Sequence, residues 1–221
     1  MEVVSFTPRW RVVGDELPVV NESVIKDEPM LFSCDWDFAH SHGGTLTRLF
    51  LDSVPPEWAE LRDAMVIDSR VHMLMKGWYP AIPGWHLDDV PRTRDDGQPD
   101  HVRPSYYARN LMALWNADVA PTEFILGREF HLIDVPPGQG VVYGKWHDDI
   151  ETLIHAGELR TMAVPDRRYV DFGWGDFHQA TPAVRFGWRF FIRANVNTTR
   201  KKRNEIRRQV QVYMTKPFRG W

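Results

Sequence analysis

Three short stretches carry residue types that bind metal ions and anions. In Gly84-Trp85-His86-Leu87-Asp88-Asp89 an imidazole and a carboxylate stand two residues apart. If that stretch is extended, residues i and i+2 point to the same side, so His86 and Asp88 project together into one cavity while Leu87 faces away. Two ligands of a single metal ion are built in this way. The third candidate ligand is His178, in Trp174-Gly175-Asp176-Phe177-His178-Gln179, between a Gly-containing turn and a largely apolar strand. Two histidines and one carboxylate form the facial arrangement that suits Fe(II) and leaves coordination positions open for co-reactants. The third stretch, Gly187-Trp188-Arg189-Phe190-Phe191-Ile192, sets Arg189 among aromatic and aliphatic neighbours. A guanidinium buried there is costly without an anion, and a dicarboxylate held through paired hydrogen bonds would satisfy it.

Other histidines compete for the same role. Trp146-His147-Asp148-Asp149 repeats the His-x-Asp spacing, but it runs into Ile150-Glu151-Thr152-Leu153-Ile154, which reads as a helix. On a helix, residues i and i+2 diverge by about 200°, so His147 and Asp149 are the weaker pair. His40 and His42 lie in Asp35 to Gly44, read as a polar aromatic loop because Gly43-Gly44 follows directly. That placement favours plain surface over a lid or metal role. His72, His101, His131 and His155 lack a partner pattern and read as structural.

The elements that must position these groups are mostly strands. Residues 1 to 34 alternate short apolar groups with Pro8, Gly14, Pro18 and Pro29, the pattern of short strands and turns. Thr45 to Ser53 and Pro56 to Met65 have helical spacing. From Val66 the period becomes that of a strand, running to Trp78, and after the Pro80 turn a second strand from Ala81 to Asp88 delivers His86 and Asp88. Residues 89 to 105 are polar and Pro-containing, a long loop placed to cover a substrate. Strands follow at Tyr107 to Trp115, Glu123 to Leu126, Phe130 to Val135 and Gly140 to Trp146, then a helix from Asp148 to Gly157. Further strands are expected at Leu159 to Val164, Tyr169 to Phe172, Phe186 to Val196 and Gln209 to Met214. Many short strands with a few flanking helices indicate a mainly β jelly roll.

Composition narrows the class. At 221 residues the chain suits one domain, with an N-terminal part (1–65) packing on a core (66–196) and a basic C-terminal segment (197–221). No apolar run approaches the length of a membrane helix, and Met-Glu-Val-Val-Ser-Phe lacks the features of a secretory signal. Cys34 is the single cysteine, so no intrachain disulfide forms. Together these lead to the expectation of a soluble, cytoplasmic protein.

His-x-Asp, a long interval, then His and an Arg 11 positions later resembles the Fe(II)- and 2-oxoglutarate-dependent oxygenases, whose fold is a double-stranded β-helix (jelly roll, cupin-like). His178-Gln-Ala-Thr-Pro-Ala followed by Gly187-Trp188-Arg189 looks most like the phytanoyl-CoA-dioxygenase-like branch, over roughly residues 66 to 196. The resemblance implies that His86, Asp88 and His178 bind Fe(II) and that Arg189 holds the far carboxylate of 2-oxoglutarate, with O2 as the other co-substrate. Arg185 and Arg193 lie near enough to replace Arg189. Tyr107 and Asn110 are secondary candidates for polar contacts to the co-substrate. The carboxylate of Asp88 argues against halogenation, because halogenases of this type resemble ones with a small residue there. The implied reaction is hydroxylation of a small-molecule substrate with release of succinate and CO2. A metal- or ligand-binding β-helix protein without 2-oxoglutarate turnover is the alternative. Arg200-Lys201-Lys202-Arg203-Asn204-Glu205-Ile206-Arg207-Arg208 adds a basic surface to which nucleic acid would be drawn, against the plainer reading of a solvated turn.

Overall fold

A computed structural model describes residues 2–136 and 142–214. In chain order the elements are β1 (Val3–Phe6), β2 (Arg11–Val13), α1 (Glu22–Lys26), β3 (Leu31–Phe32), α2 (Trp36–His42), α3 (Thr45–Asp52), α4 (Pro56–Ala59) and a 3-10 turn (Arg62–Ala64). They continue with β4 (Val66–Leu74), β5 (Arg109–Trp115), β6 (Thr122–Leu126), β7 (Phe130–Ile133), α5 (Val142–His155), β8 (Arg160–Ala163), β9 (Tyr169–Gly173), β10 (His178–Ala180), β11 (Gly187–Val196) and β12 (Glu205–Ile206).

Two antiparallel sheets face each other in jelly-roll fashion. The larger has the order β2-β9-β5-β11-β4 and the smaller β10-β6-β8. Strand alternation sorts the side chains of the larger sheet. Ile67 and Val71 of β4, Leu111 and Ala113 of β5, and Phe190 and Ile192 of β11 point outward, where Ile25, Leu46, Phe50 and Trp58 from α1, α3 and α4 cover them. The opposite face of the same strands turns Met112, Leu114, Val170 and Phe172 toward Phe124 of the smaller sheet. Behind the smaller sheet, α5 packs Tyr143, Trp146 and Ile150 against Phe6, Ile125, Phe130 and Phe177. Among the described residues, no helix is long and apolar enough to cross a membrane.

Several elements depart from the sequence expectation. Asp35 to Gly44 is not a loop: the Asp35 side chain accepts a hydrogen bond from Phe38 N at 2.8 Å, capping α2, and the Gly-Gly pair marks where that helix ends. The strand expected from Gly140 to Trp146 is replaced, where it is described, by α5, which begins at Val142. Val142, Tyr143, Trp146 and Ile150 are its buried residues, a helical spacing that alternation over a few residues had imitated. Pro56 to Met65 splits into α4 and the 3-10 turn, and α1 lies unforeseen among the N-terminal strands. Ala81 to Asp88 is not a continuous strand: it bends at Ala81, Gly84 and Asp88 and, among the described residues, joins no sheet ladder, pairing with β10 through the bridge His86↔His178. Among the described residues, Gln209 to Met214 likewise contributes the isolated bridge Tyr79↔Tyr213 and no strand ladder. The basic segment instead forms β12, paired with β3.

The N-terminal layer has its own anchor. Glu28, 5% exposed, accepts hydrogen bonds from Gly44 N, Leu46 N and Thr47 N at 3.0, 2.9 and 2.8 Å and from Thr47 Oγ1 at 2.6 Å. A carboxylate from outside α3 thereby satisfies the amides that the start of a helix leaves unpaired, and it complements the positive end of the helix dipole.

Candidate metal centre

His86 and His178 meet as the two sides of an antiparallel bridge, with both N–H···O distances at 3.1 Å and the ring centroids 4.6 Å apart. Asp88 reaches between them: Asp88 Oδ2 lies 3.2 Å from His178 Nε2, and Oδ1 lies 3.9 Å from His86 Nε2. Potential ligand atoms of all three residues lie within 4.8 Å of one another, in a setting where the imidazoles are 8% and 6% exposed. The i, i+2 projection of His86 and Asp88 thus holds although their segment belongs to no sheet.

The outer nitrogens fix the rings. His86 Nδ1 is 2.9 Å from Gly84 O, and His178 Nδ1 is 3.0 Å from Asp176 O. A carbonyl oxygen only accepts, so each Nδ1 carries a proton and each Nε2 is turned inward, the atom that a metal ion would take. Burial, followed by the neighbouring His178, pulls the His86 imidazolium down to about 4, which keeps that ring neutral near pH 7. Burial works to raise the Asp88 carboxyl, but Arg193 and His178 hold it well below the usual carboxylate range. Arg193 Nη1 donates to Asp88 Oδ2, so the carboxylate already has a cationic partner. Two imidazoles oriented through their Nδ1 atoms and one ionised carboxylate form a donor set that fits a divalent ion of the Fe(II) type.

The three residues sit at one side of a cavity of about 570 Å³ between the two sheets. Arg189 lines it from β11. It is 3% exposed, its Nη2 donates to Thr122 Oγ1 at 2.9 Å, and its Nε has no hydrogen-bond partner among the described residues. Burial, together with nearby Arg70, pulls the Arg189 guanidinium down to about 9. Desolvation and like charge both disfavour its ionised form, and an anion beside it would offset them.

The remaining sequence candidates are placed elsewhere. Arg185 is tied to Asp118 on the exposed surface, with its Nη2 2.7 Å from Asp118 Oδ2. Tyr107 is 58% exposed, packs 5.3 Å from the ring of Trp174 and does not line the cavity. Asn110 is buried with its Oδ1 accepting from Asn195 Nδ2, and it also lies off the cavity wall. His40 pairs with Asp52 at 2.9 Å and His42 stacks on Phe38 at 4.1 Å, far from the triad in fold and environment. Asp149 is held by Lys145 on α5, whereas His147 Nδ1 accepts a hydrogen bond from Trp85 N at 3.3 Å. In the basic segment, Arg200 and Arg207 turn inward to Asp68, at 2.5 and 3.2 Å.

Sequence reasoning overlooked the polar wall of β4. Asp68, Arg70 and His72 all line the cavity, and their register partners on β11 are Arg193, Phe191 and Arg189. The signal was present as Asp68-Ser69-Arg70-Val71-His72, where charge recurs with the strand period beside apolar neighbours.

No protein-family model matches the sequence, and no curated protein matches it. Among solved structures, the chain is similar to the iron-bound HygX from Streptomyces hygroscopicus, at 11% identity and a TM-score of 0.38 over 87% of this chain and 83% of that one. It is also similar to the non-heme monooxygenase ThoJ, at 10% identity and a TM-score of 0.33 over 90% and 85% of the two chains. CytC3 with Fe(II) and alpha-ketoglutarate superposes at 9% identity and a TM-score of 0.33 over 84% and 79%. Overlap this loose decides neither the fold nor the reaction, which rest on the chain's own residues.

Proposed function

We propose that the chain is a non-heme Fe(II)- and 2-oxoglutarate-dependent oxygenase that hydroxylates a small molecule and releases succinate and CO2. One observation carries the reading: a His86, Asp88, His178 ligand set and a buried guanidinium without a carboxylate partner among the described residues, Arg189, face the same cavity. His86, Asp88 and His178 would hold the ion, which supplies dioxygen activation coupled to decarboxylation of the co-substrate. Arg189, steadied by Thr122, would pair with the far carboxylate of 2-oxoglutarate and so orient its keto acid end toward the triad. Met112, Phe172 and Phe191 supply apolar cavity wall, which excludes water from the reacting C–H.

Anaerobic titration of the protein with Fe(II) and 2-oxoglutarate should develop the weak visible charge-transfer band of a chelated keto acid. His86→Ala, Asp88→Ala and His178→Ala should each remove it. Arg189→Lys should preserve the band but demand about tenfold more 2-oxoglutarate, because an ammonium cannot reproduce two parallel N–H donors. If all three alanine variants keep the band, the ligand assignment is wrong. If the wild-type band forms but aerobic turnover yields no succinate, with or without candidate substrates, the oxygenase assignment falls and a binding protein remains.

A further inference from the structure

The cavity holds more positive charge than the proposed cofactors consume. Its lining includes Arg70, Arg189, Arg193 and Arg207 against the carboxylates of Asp68 and Asp88. Four guanidiniums facing two carboxylates leave two positive charges in excess. A divalent ion on the triad and the dianion of 2-oxoglutarate cancel each other, so loading both leaves that excess unchanged. Arginine does not escape by losing its proton, because its pKa stays too high. A counter-charge must therefore come from elsewhere or be forgone at a large desolvation cost.

Arg70 is where the deficit concentrates. Arg193 is paired with Asp88, Arg207 with Asp68, and Arg189 at least donates to Thr122. Arg70 has neither a hydrogen bond nor an ion pair among the described residues. Its register partner is Phe191, so Arg189 and Arg193 flank it diagonally from the same face of β11. Burial, then the charges of Arg193 and Arg207, lower its pKa, and the nearby carboxylates of Asp68 and Asp88 oppose this shift without contacting it. Gln209 and Gln211 on the adjoining wall add neutral donors. A dianionic oxyanion matches two excess charges and accepts from several N–H groups at once, whereas a single carboxylate would leave one charge unmatched.

We infer, resting on the oxygenase reading above, that the prime substrate carries a dianionic phosphate monoester and seats it on Arg70 beside Arg207, separate from the carboxylate site at Arg189. The cavity volume of about 570 Å³ is in the range that houses a small-molecule ligand. With the anion anchored on the β4 side, the rest of the molecule extends toward the triad. Binding energy from a non-reacting group then positions the reacting C–H.

The test is anion titration at constant ionic strength on protein preloaded anaerobically with Fe(II) and saturating 2-oxoglutarate, followed by tryptophan fluorescence and by the visible band. Methyl phosphate, a dianionic monoester, and inorganic sulfate, a dianion of similar shape, are the two probes of the dianion subsite. Expected is saturable binding of at least one probe without displacement of 2-oxoglutarate, weakened about tenfold or more in Arg70→Gln and less in Arg70→Lys. Both variants should keep the visible band and the wild-type circular dichroism, which separates a lost subsite from a lost fold. The inference is overturned if neither probe binds the loaded wild type, if binding simply displaces 2-oxoglutarate, or if folded Arg70→Gln binds as well as wild type. Should the band never form while methyl phosphate or sulfate still binds in an Arg70-dependent way, the oxygenase reading fails and the anion subsite stands.

Discussion

Asp176→Ala tests whether the turn behind His178 is held from the N-terminal strand region. The Asp176 carboxylate is 3% exposed and accepts from Arg9 N at 2.6 Å, Trp10 N at 3.1 Å and Gly173 N at 2.7 Å, while its backbone oxygen receives His178 Nδ1. Arg9 is an exposed residue, so water replaces that acceptor at little cost. Trp10 N is buried and Gly173 N partly so; losing an ionised acceptor at each costs about 1.5–3 kcal/mol. Against this, burial pushes the Asp176 carboxyl up despite those donors, so the variant recovers some desolvation energy. The net expectation is a loss of about 2–4 kcal/mol in urea unfolding. Asp176→Asn, which keeps one acceptor oxygen, should lose about half as much. Because the turn also orients the His178 ring, Fe(II) affinity of the folded alanine variant should drop about tenfold. Unfolding at the wild-type midpoint together with unchanged Fe(II) affinity would refute the bracket.

Tyr143→Phe removes the hydroxyl that donates to Leu87 O at 3.1 Å, between the candidate ligands His86 and Asp88; about 1 kcal/mol of stability and a few-fold of Fe(II) affinity should be lost, read by thermal melting and metal titration. Glu28→Ala strips the cap of α3 and should cost about 3 kcal/mol in urea unfolding. Fe(II) affinity should be unchanged there, since that helix packs on the outer face of the larger sheet. For Asp68, burial would raise the carboxyl, but Arg200 and Arg193 hold it below the usual range. A depressed folded-state pKa gives stability that is present above the unfolded value near about 4 and is lost as pH falls through the folded value. Asp68→Asn should therefore cost about 2 kcal/mol near neutrality, a figure reduced because Arg200 and Arg207 are about one-quarter exposed, and should flatten the acid limb of a stability-against-pH profile.

The fold class was legible because strand period survives in β4, β5 and β11, whose inward and outward residues separate cleanly by parity. His86 and Asp88 lie together on the cavity although their segment is no strand, so their spacing, and not a strand period, was the legible signal. What misled was local chemistry with a tertiary resolution. Gly43-Gly44 signalled a loop, but Asp35 supplies a cap that only closes once α2 forms. Tyr107 alternates like a strand residue and yet precedes β5, so it escapes the inner face. Arg70 could not be distinguished from a solvated charge without knowing that β4 pairs with β11 on the cavity side.

The competing His147-x-Asp149 spacing has a physical explanation that ties α5 to the site. Tyr143, His147 and Glu151 recur every four residues and so lie on one helix face. Each grips the segment carrying the candidate ligands His86 and Asp88: Tyr143 holds Leu87 O at 3.1 Å, His147 accepts from Trp85 N at 3.3 Å, and Glu151 accepts from Trp85 Nε1 at 2.7 Å. Among the described residues that segment has no strand ladder of its own, and its backbone pairs with the smaller sheet at the His86↔His178 bridge. A segment without a ladder slides unless side chains fix it, and a shift of one residue would turn His86 and Asp88 away from the cavity. The helix stripe takes over the part a neighbouring strand would play, which is why a second metal-like motif stands beside the candidate metal site without belonging to it.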